Sequence, residues 1–321
     1  MNASRFTPRR ALASLGAALA LALAAPSPAA AQPPECMGKG ATVIGTNHAD
    51  HLKAHSGDVV AGLGGSDVIA GGRHGGTVIC GGPGNDRIVG GNDDDTLVGG
   101  SGNDRIFGNH GKDLIVGDLA TDSGNATGHT GRDFVNAGFG NDFIVGDDFS
   151  RSGNASGAAA DTLKSVNGND TIIGDSAVMG SGSATGGGAD YTYGEGGRDV
   201  VVGDSYSPFG HASGGGKDHL NAGMKSDLMV GDSYTQTGSA TGSGRDHLHG
   251  LWGPDTIYGD DYATVAQGTS SGGARDTLNG AMGDDHLIGG PRHDVCAGGP
   301  GRDGDALCEY KIGVEFPLHV F

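Results

Sequence analysis

Four aspartates recur nine residues apart, at Asp86, Asp95, Asp104 and Asp113, each closing a glycine-rich turn: GGPGNDRIV at 81–89, GGNDDDTLV at 90–98, GGSGNDRIF at 99–107 and GNHGKDLIV at 108–116. Carboxylates interleaved with glycine carbonyls suit a hard cation, since Ca2+ takes about six to eight oxygens from side chains and backbone alike. Aspartate outnumbers glutamate 34 to four. The shorter carboxylate fits tight turns, so the acidity is structural rather than solubilising. Glycine at the turn positions permits positive φ and lets carbonyl oxygens face a central ion.

Such ligands require elements that repeat with them. With 66 Gly in 321 residues, helix is disfavoured, because each interior Gly costs about 1 kcal/mol against Ala. The apolar residue two places after each aspartate, as at Ile69, Ile88, Leu97, Ile106 and Ile115, shares a face with its counterparts on short strands. No single turn can bury it, so one coil must stack on the next. Beyond residue 117 the period lengthens. Val/Ile/Tyr-Gly-Asp recurs at Asp118, Asp147, Asp175, Asp204, Asp232 and Asp260, spaced by 29, 28, 29, 28 and 28 residues. Two nonapeptides make 18 residues, so each long unit is the same coil with about ten residues inserted in one turn.

Numbering the turn-closing aspartates alternately separates two edges. Asp50, Asp67, Asp86, Asp104, Asp133, Asp161, Asp190, Asp218, Asp246, Asp276 and Asp294 fall on one, and every long insertion lies there. Asp58, Asp95, Asp113, Asp142, Asp170, Asp199, Asp227, Asp255, Asp285 and Asp303 fall on the other, whose turns stay short. The fold expected is mainly β, a parallel β-roll or β-solenoid of about eleven coils with long loops on one edge. Its divisions are a signal peptide at 1–31, an N-terminal cap with degenerate coils at 32–61, nonapeptide roll at 62–117, long-repeat roll at 118–289 and a C-terminal cap at 290–321. Alternating apolar residues from Ile312 to Val320, with Pro317 among them, predict an edge strand in that cap.

The tandem segments at 81–116 resemble the hemolysin-type calcium-binding repeat of the RTX family, GGxGxDxUx with U a large apolar residue. The resemblance implies a roll whose six-residue turns hold several Ca2+ ions between neighbouring coils, on glycine carbonyls and aspartate carboxylates. Carried onto this chain, it names Asp67, Gly82, Gly84, Asp86, Gly100, Gly102 and Asp104 on one edge. On the other it names Asp95, Gly111, Asp113, Gly138, Gly140, Asp142, Gly168, Asp170, Gly196 and Asp199, with Asp255 and Asp285 extending the row. Two positions depart from the pattern: Lys225 replaces the fourth-place glycine before Asp227, and Thr77 stands in an aspartate position. The paired aspartates opening and closing each long turn form a further candidate for Ca2+.

Charge and cysteine content bound the function. Segment 1–31, with Arg5, Arg9 and Arg10, an Ala/Leu-rich run from Ala11 to Ala25 and Ala29-Ala30-Ala31, has the layout of a secretory signal peptide for Sec or Tat export. Its removal would leave 17 basic against 38 acidic side chains, net −21. That charge disfavours nucleic acid and anionic membranes and favours cations; the apolar run is short for a membrane span. In an exported chain the four cysteines read as two disulfides, Cys36 with Cys80 and Cys296 with Cys308 being the preferred pairing of three possible.

No catalytic constellation emerges, so the chain reads as non-enzymatic. The GTSSG run around Ser270 lies in a Ser/Gly-rich loop rather than at a strand-to-helix turn. The alternative is an extracellular adhesin, or a surface- or ice-binding solenoid, using the Ser/Thr/Gly-rich loops on a surface or glycan partner. The strand positions expected to face outward, such as Thr171/Ile173, Val200/Val202 and His219/Asn221, carry no threonine ladder.

Overall fold

The structure is a computed structural model and describes residues 34–128, 130–264, 269–313 and 316–317. The segment read as a signal peptide and most of the C-terminal tail lie outside these residues. No described residue is helical. Strands of mostly three residues stack into two long parallel sheets, one of 12 strands and one of 13, whose order in space follows their order in the chain. The first runs from His51–Lys53 to Tyr310–Ile312 and the second from Val43–Ile44 to Phe316–Pro317. The terminal strands add coils beyond the aspartate rows. Pro317 does lie in a strand at a sheet end, paired with Asp305.

Register locks the inward residues into one column. Ile88 pairs with Ile69 and Ile106, and Ile106 with Val135; Leu97, Ile115, Ile144 and Ile172 do the same across the interior. All are fully buried in one core. Each buried methylene contributes roughly 0.8 kcal/mol, so a narrow core of single apolar residues gains strength only by repetition. Thr192 interrupts the column, fully buried and with its Oγ1 lacking a hydrogen-bond partner.

The long insertions are not simple spacers. Each folds into short strands that pair coil to coil, giving a six-stranded parallel sheet from Ala126–Thr127 to Thr269–Gly272. A second set includes Ala120–Thr121, Phe149–Ser150 and Ala177–Val178. This layer lies over the second sheet, so Val116, Val145, Ile173, Val202 and Val230 are buried with Phe149, Ala177 and Tyr234 in a second core. Ile173 and Val202 therefore do not face solvent, contrary to the alternation read from sequence. The rings of Tyr206, Tyr234 and Tyr262 follow one another at 5.3 and 5.5 Å within the layer, the first pair tilted and the second stacked.

A hydroxyl row, missing from the main sheets, runs along the loop sheet. Thr127, Ser156, Thr185, Ser213, Thr241 and Ser271 stand in register, while Ala126, Ala155, Ala184, Ala212 and Ala240 point into the layer and are buried. Cys36 bonds Cys80 and Cys296 bonds Cys308, the pairing preferred from sequence. The first ties the N-terminal hairpin, Glu35–Cys36 with Lys39–Gly40, to the second sheet.

Candidate metal centre

Glycine and aspartate fix the local geometry of each turn. The second- and fourth-place glycines Gly82, Gly84, Gly100, Gly102, Gly111, Gly138, Gly140 and Gly168 all have positive φ, from +95° to +152°. The fourth glycine also meets the coil before it: a Cβ on Gly102 would collide with the Gly84 carbonyl oxygen, and one on Gly140 with that of Gly111. Carbonyl oxygens thus stack from turn to turn along each edge. Gly196 does not hold the place expected of it. It pairs with Asn167 and Met224, third residues of their turns, and Gly197 occupies the fourth place, over the Gly168 carbonyl.

The closing aspartates form two ladders. On the long-turn edge the amide of Asp67 donates to Asp86 Oδ1 at 2.7 Å, that of Asp86 to Asp104 at 2.6 Å and that of Asp104 to Asp133 at 2.7 Å. The ladder continues to Asp294, whose amide donates to Glu309 at 2.9 Å. On the short-turn edge Asp95 donates to Asp113 at 2.8 Å, Asp113 to Asp142 at 2.9 Å, Asp142 to Asp170 at 2.7 Å and Asp170 to Asp199 at 2.8 Å. Asp227, Asp255, Asp285 and Asp303 complete that row. Thr77 keeps its place by donating its hydroxyl to Asp95 Oδ1 at 2.8 Å.

One oxygen of each carboxylate is thereby used, and the other is stranded. From Asp67 onward every closing aspartate except Asp95 has a buried Oδ2 with no hydrogen-bond partner; Asp95 Oδ2 accepts the Gly91 amide at 2.5 Å. The stranded oxygen lies against the turn's first glycine, facing a carbonyl from the next coil. A Cβ on Gly108 would collide with both Asp113 Oδ2 and the Ala137 carbonyl oxygen, so that turn admits no side chain in its first place. Burial pushes Asp113 up to about 8, Asp199 and Asp255 to about 7, and Asp86, Asp142, Asp227 and Asp285 to about 6. The ladder amides pull each back down, and neighbouring carboxylates raise most of them further.

Buried carboxylates with unmet oxygens require a counter-charge or a proton, because desolvating a lone anion costs several kcal/mol. Among the described residues no three His, Cys, Asp or Glu side chains gather round one point. A cation here must draw on one or two carboxylates and complete its shell with backbone oxygens. That donor set is oxygen only, which suits Ca2+ and excludes a thiolate or imidazole metal. The residues present fit it.

The RTX calcium-binding nonapeptide repeat (4 copies) matches the chain at residues 44–73, 80–115, 89–124, 121–150, 156–177, 184–205, 240–261 and 270–304, more than half of its length. The chain belongs to this RTX family. Its repeats are calcium-binding repeats, and the parallel roll is the fold such repeats form. No curated protein and no solved structure matches the chain.

The RTX repeat locates the turns but not everything that closes them. Sequence reading named the ladder aspartates without the amide bonds that join them, and it missed Glu309 as the last acceptor. Its position, 15 residues after Asp294 and outside the nonapeptide pattern, gave no signal. Lys225 adopts φ +86° with its side chain exposed, so the turn backbone keeps its course without glycine.

Proposed function

We propose that this chain is an exported, non-enzymatic protein whose turns bind several Ca2+ ions between stacked coils, and that ion binding completes folding outside the cell. The observation that carries this reading is the row of buried, unpartnered Oδ2 atoms on both edges. The residues that would hold the ions are Asp67, Asp86 and Asp104 on one edge and Asp95, Asp113, Asp142, Asp170, Asp199, Asp255 and Asp285 on the other, with second- and fourth-place carbonyls. A bound Ca2+ supplies the positive charge that lets these carboxylates ionise in place. Export is supported by the two disulfides, which persist in oxidising compartments, and by the signal-like composition of 1–31. Extracellular modules bind Ca2+ at about 10⁻⁴–10⁻³ M, a range met outside cells and not in the cytosol.

Far-ultraviolet circular dichroism of the full chain tests the coupling. A β spectrum in millimolar Ca2+ should collapse in excess chelator and return when Ca2+ is restored; superimposable spectra would remove the folding role.

A second reading, surface adhesion, is favoured by the in-register row from Thr127 to Ser271 on the loop sheet. Retention on insoluble polysaccharides or ice should be lost in a T185Y/T241Y variant that keeps its β spectrum. No retention of the unsubstituted chain on any such surface rejects adhesion by this row.

A further inference from the structure

The long-turn edge carries a second column of carboxylates that short turns lack. Each long turn opens with Asp118, Asp147, Asp175, Asp204, Asp232 or Asp260. Each of these accepts a backbone amide from two places before the closing aspartate: Gly131 to Asp118 at 3.0 Å, Ala159 to Asp147 at 2.9 Å, Gly216 to Asp204 at 3.0 Å and Gly244 to Asp232 at 2.6 Å. That bond pinches the turn shut and occupies one oxygen. The other oxygen of Asp118, Asp147, Asp204, Asp232 and Asp260 has no partner, although these residues are at most 6% exposed.

The opening carboxylates lie close both to the ladder column and to one another. A Cβ on Gly244 would lie 2.7 Å from Asp232 Oδ1 and 2.9 Å from Asp246 Oδ1, the oxygens that accept the Gly244 and Asp218 amides, so the opening and closing carboxyl groups of one turn flank the same point, each with its Oδ2 left unpartnered. Consecutive opening carboxylates, Asp118 with Asp147, Asp147 with Asp175, Asp175 with Asp204 and Asp204 with Asp232, approach one another acceptor to acceptor, an arrangement that needs a proton or a cation between them. Burial, then repulsion from Asp190 and Asp204, drives Asp175 well above the usual carboxylate range. The ion pairs among the described residues, His55–Asp58, His74–Asp93, Arg151–Asp122 and Lys311–Asp305, involve neither column. Arg292 lowers Asp260, at the end of the column, against the larger effect of burial.

We propose that the long-turn edge binds a second, separate row of divalent cations, Ca2+ by donor type, each held by one opening and one closing aspartate together with turn carbonyl oxygens. Two buried carboxylates per long coil are balanced by one divalent ion per coil. Mg2+ fits poorly, because it keeps several of its waters and these oxygens are closed off from solvent. The row would fasten the loop layer, with its hydroxyl face, to the roll. This inference rests on the calcium reading for the identity of the ion and goes beyond it in the site, which the nonapeptide pattern does not contain.

The direct test is an anomalous difference map from crystals of the full chain grown with Tb3+. Peaks beside Asp175, Asp204 and Asp232, inside the long turns, are expected in addition to peaks on the short-turn edge. Peaks between nonapeptide turns alone overturn this inference and leave the calcium reading standing; peaks in neither place overturn both. In solution, D175N/D204N/D232N should lose about one bound Ca2+ per substituted turn, measured by atomic emission after gel filtration. An unchanged count in a folded variant contradicts the second row. If that variant does not fold, the map of the unsubstituted chain decides.

Discussion

The two oxygens of a turn-closing aspartate have different fates, and Asp113 shows the consequence. Its Oδ1 accepts the Asp95 amide at 2.8 Å, a neutral task that an amide oxygen performs equally well. Its Oδ2 is buried without a partner, and burial pushes the carboxyl up to about 8. Asp113→Asn keeps the first role and deletes the charge. It should weaken Ca2+ binding at the adjoining turns by about tenfold, equivalent to about 1.4 kcal/mol, as read by calorimetric titration. In metal-free buffer the same variant should retain more β structure than the unsubstituted chain, because an anion that had to be neutralised is gone. A variant that loses stability in metal-free buffer as well would show that the Asp113 carboxyl is not an uncompensated charge there. At this scale much was legible in advance: aspartate type and nine-residue spacing identify Asp86, Asp95, Asp104 and Asp113 as rungs of the two ladders. The amide bonds between rungs were not, since they join residues 18 to 30 apart through backbone groups that every residue possesses.

Turns and loops were legible to different degrees for physical reasons. A short turn needs glycine where φ is positive and where a carbonyl of the preceding coil crowds its Cα, so sequence marks it strongly. The loop strands need only small residues, an inward alanine and an outward serine or threonine, and two-residue strands are too short for an alternation to register. Their pairing became visible only when Ala126, Ala155, Ala184 and Ala212 were seen in register beneath a common layer. Assigning the pattern strand by strand also misplaced Ile173 and Val202, because it gave no hint that the loops fold over the second sheet. The turn at 222–227 tests how far glycine is required. Lys225 holds φ +86°, a conformation costing a non-glycine residue roughly 1–2 kcal/mol, and its ammonium lowers the carboxyls of Asp199 and Asp227 against the larger effect of burial. Lys225→Gly should raise the melting temperature in Ca2+ by several degrees and tighten binding at the two adjoining turns. A fall in both would show that the lysine's charge, not an ion, is what the turn uses.

Over the whole molecule the buried carboxylates act in one direction. Burial raises them in the folded chain, from an ordinary value near 3.8 to about 6 at Asp86 and Asp142, about 8 at Asp104 and Asp276 and about 9 at Asp133. A carboxyl raised on folding favours the folded state when protonated. Its contribution is complete below the unfolded value and is lost as pH rises through the folded one. Metal-free roll should therefore be most stable near pH 4 and weaken steadily across about pH 6 to 9, where an ordinary acidic protein would be near its optimum. Ca2+ replaces the protons, so the same chain in millimolar Ca2+ should show little change over that interval, and binding should release protons. Thermal melts of the full chain, dialysed free of metal and then with Ca2+ restored, measure both limbs. Metal-free stability that climbs between pH 5 and 8 would mean that the carboxylates are ionised and satisfied without an ion. The two aspartate ladders would then be hydrogen-bonded turn ornaments rather than the sites that couple calcium to folding.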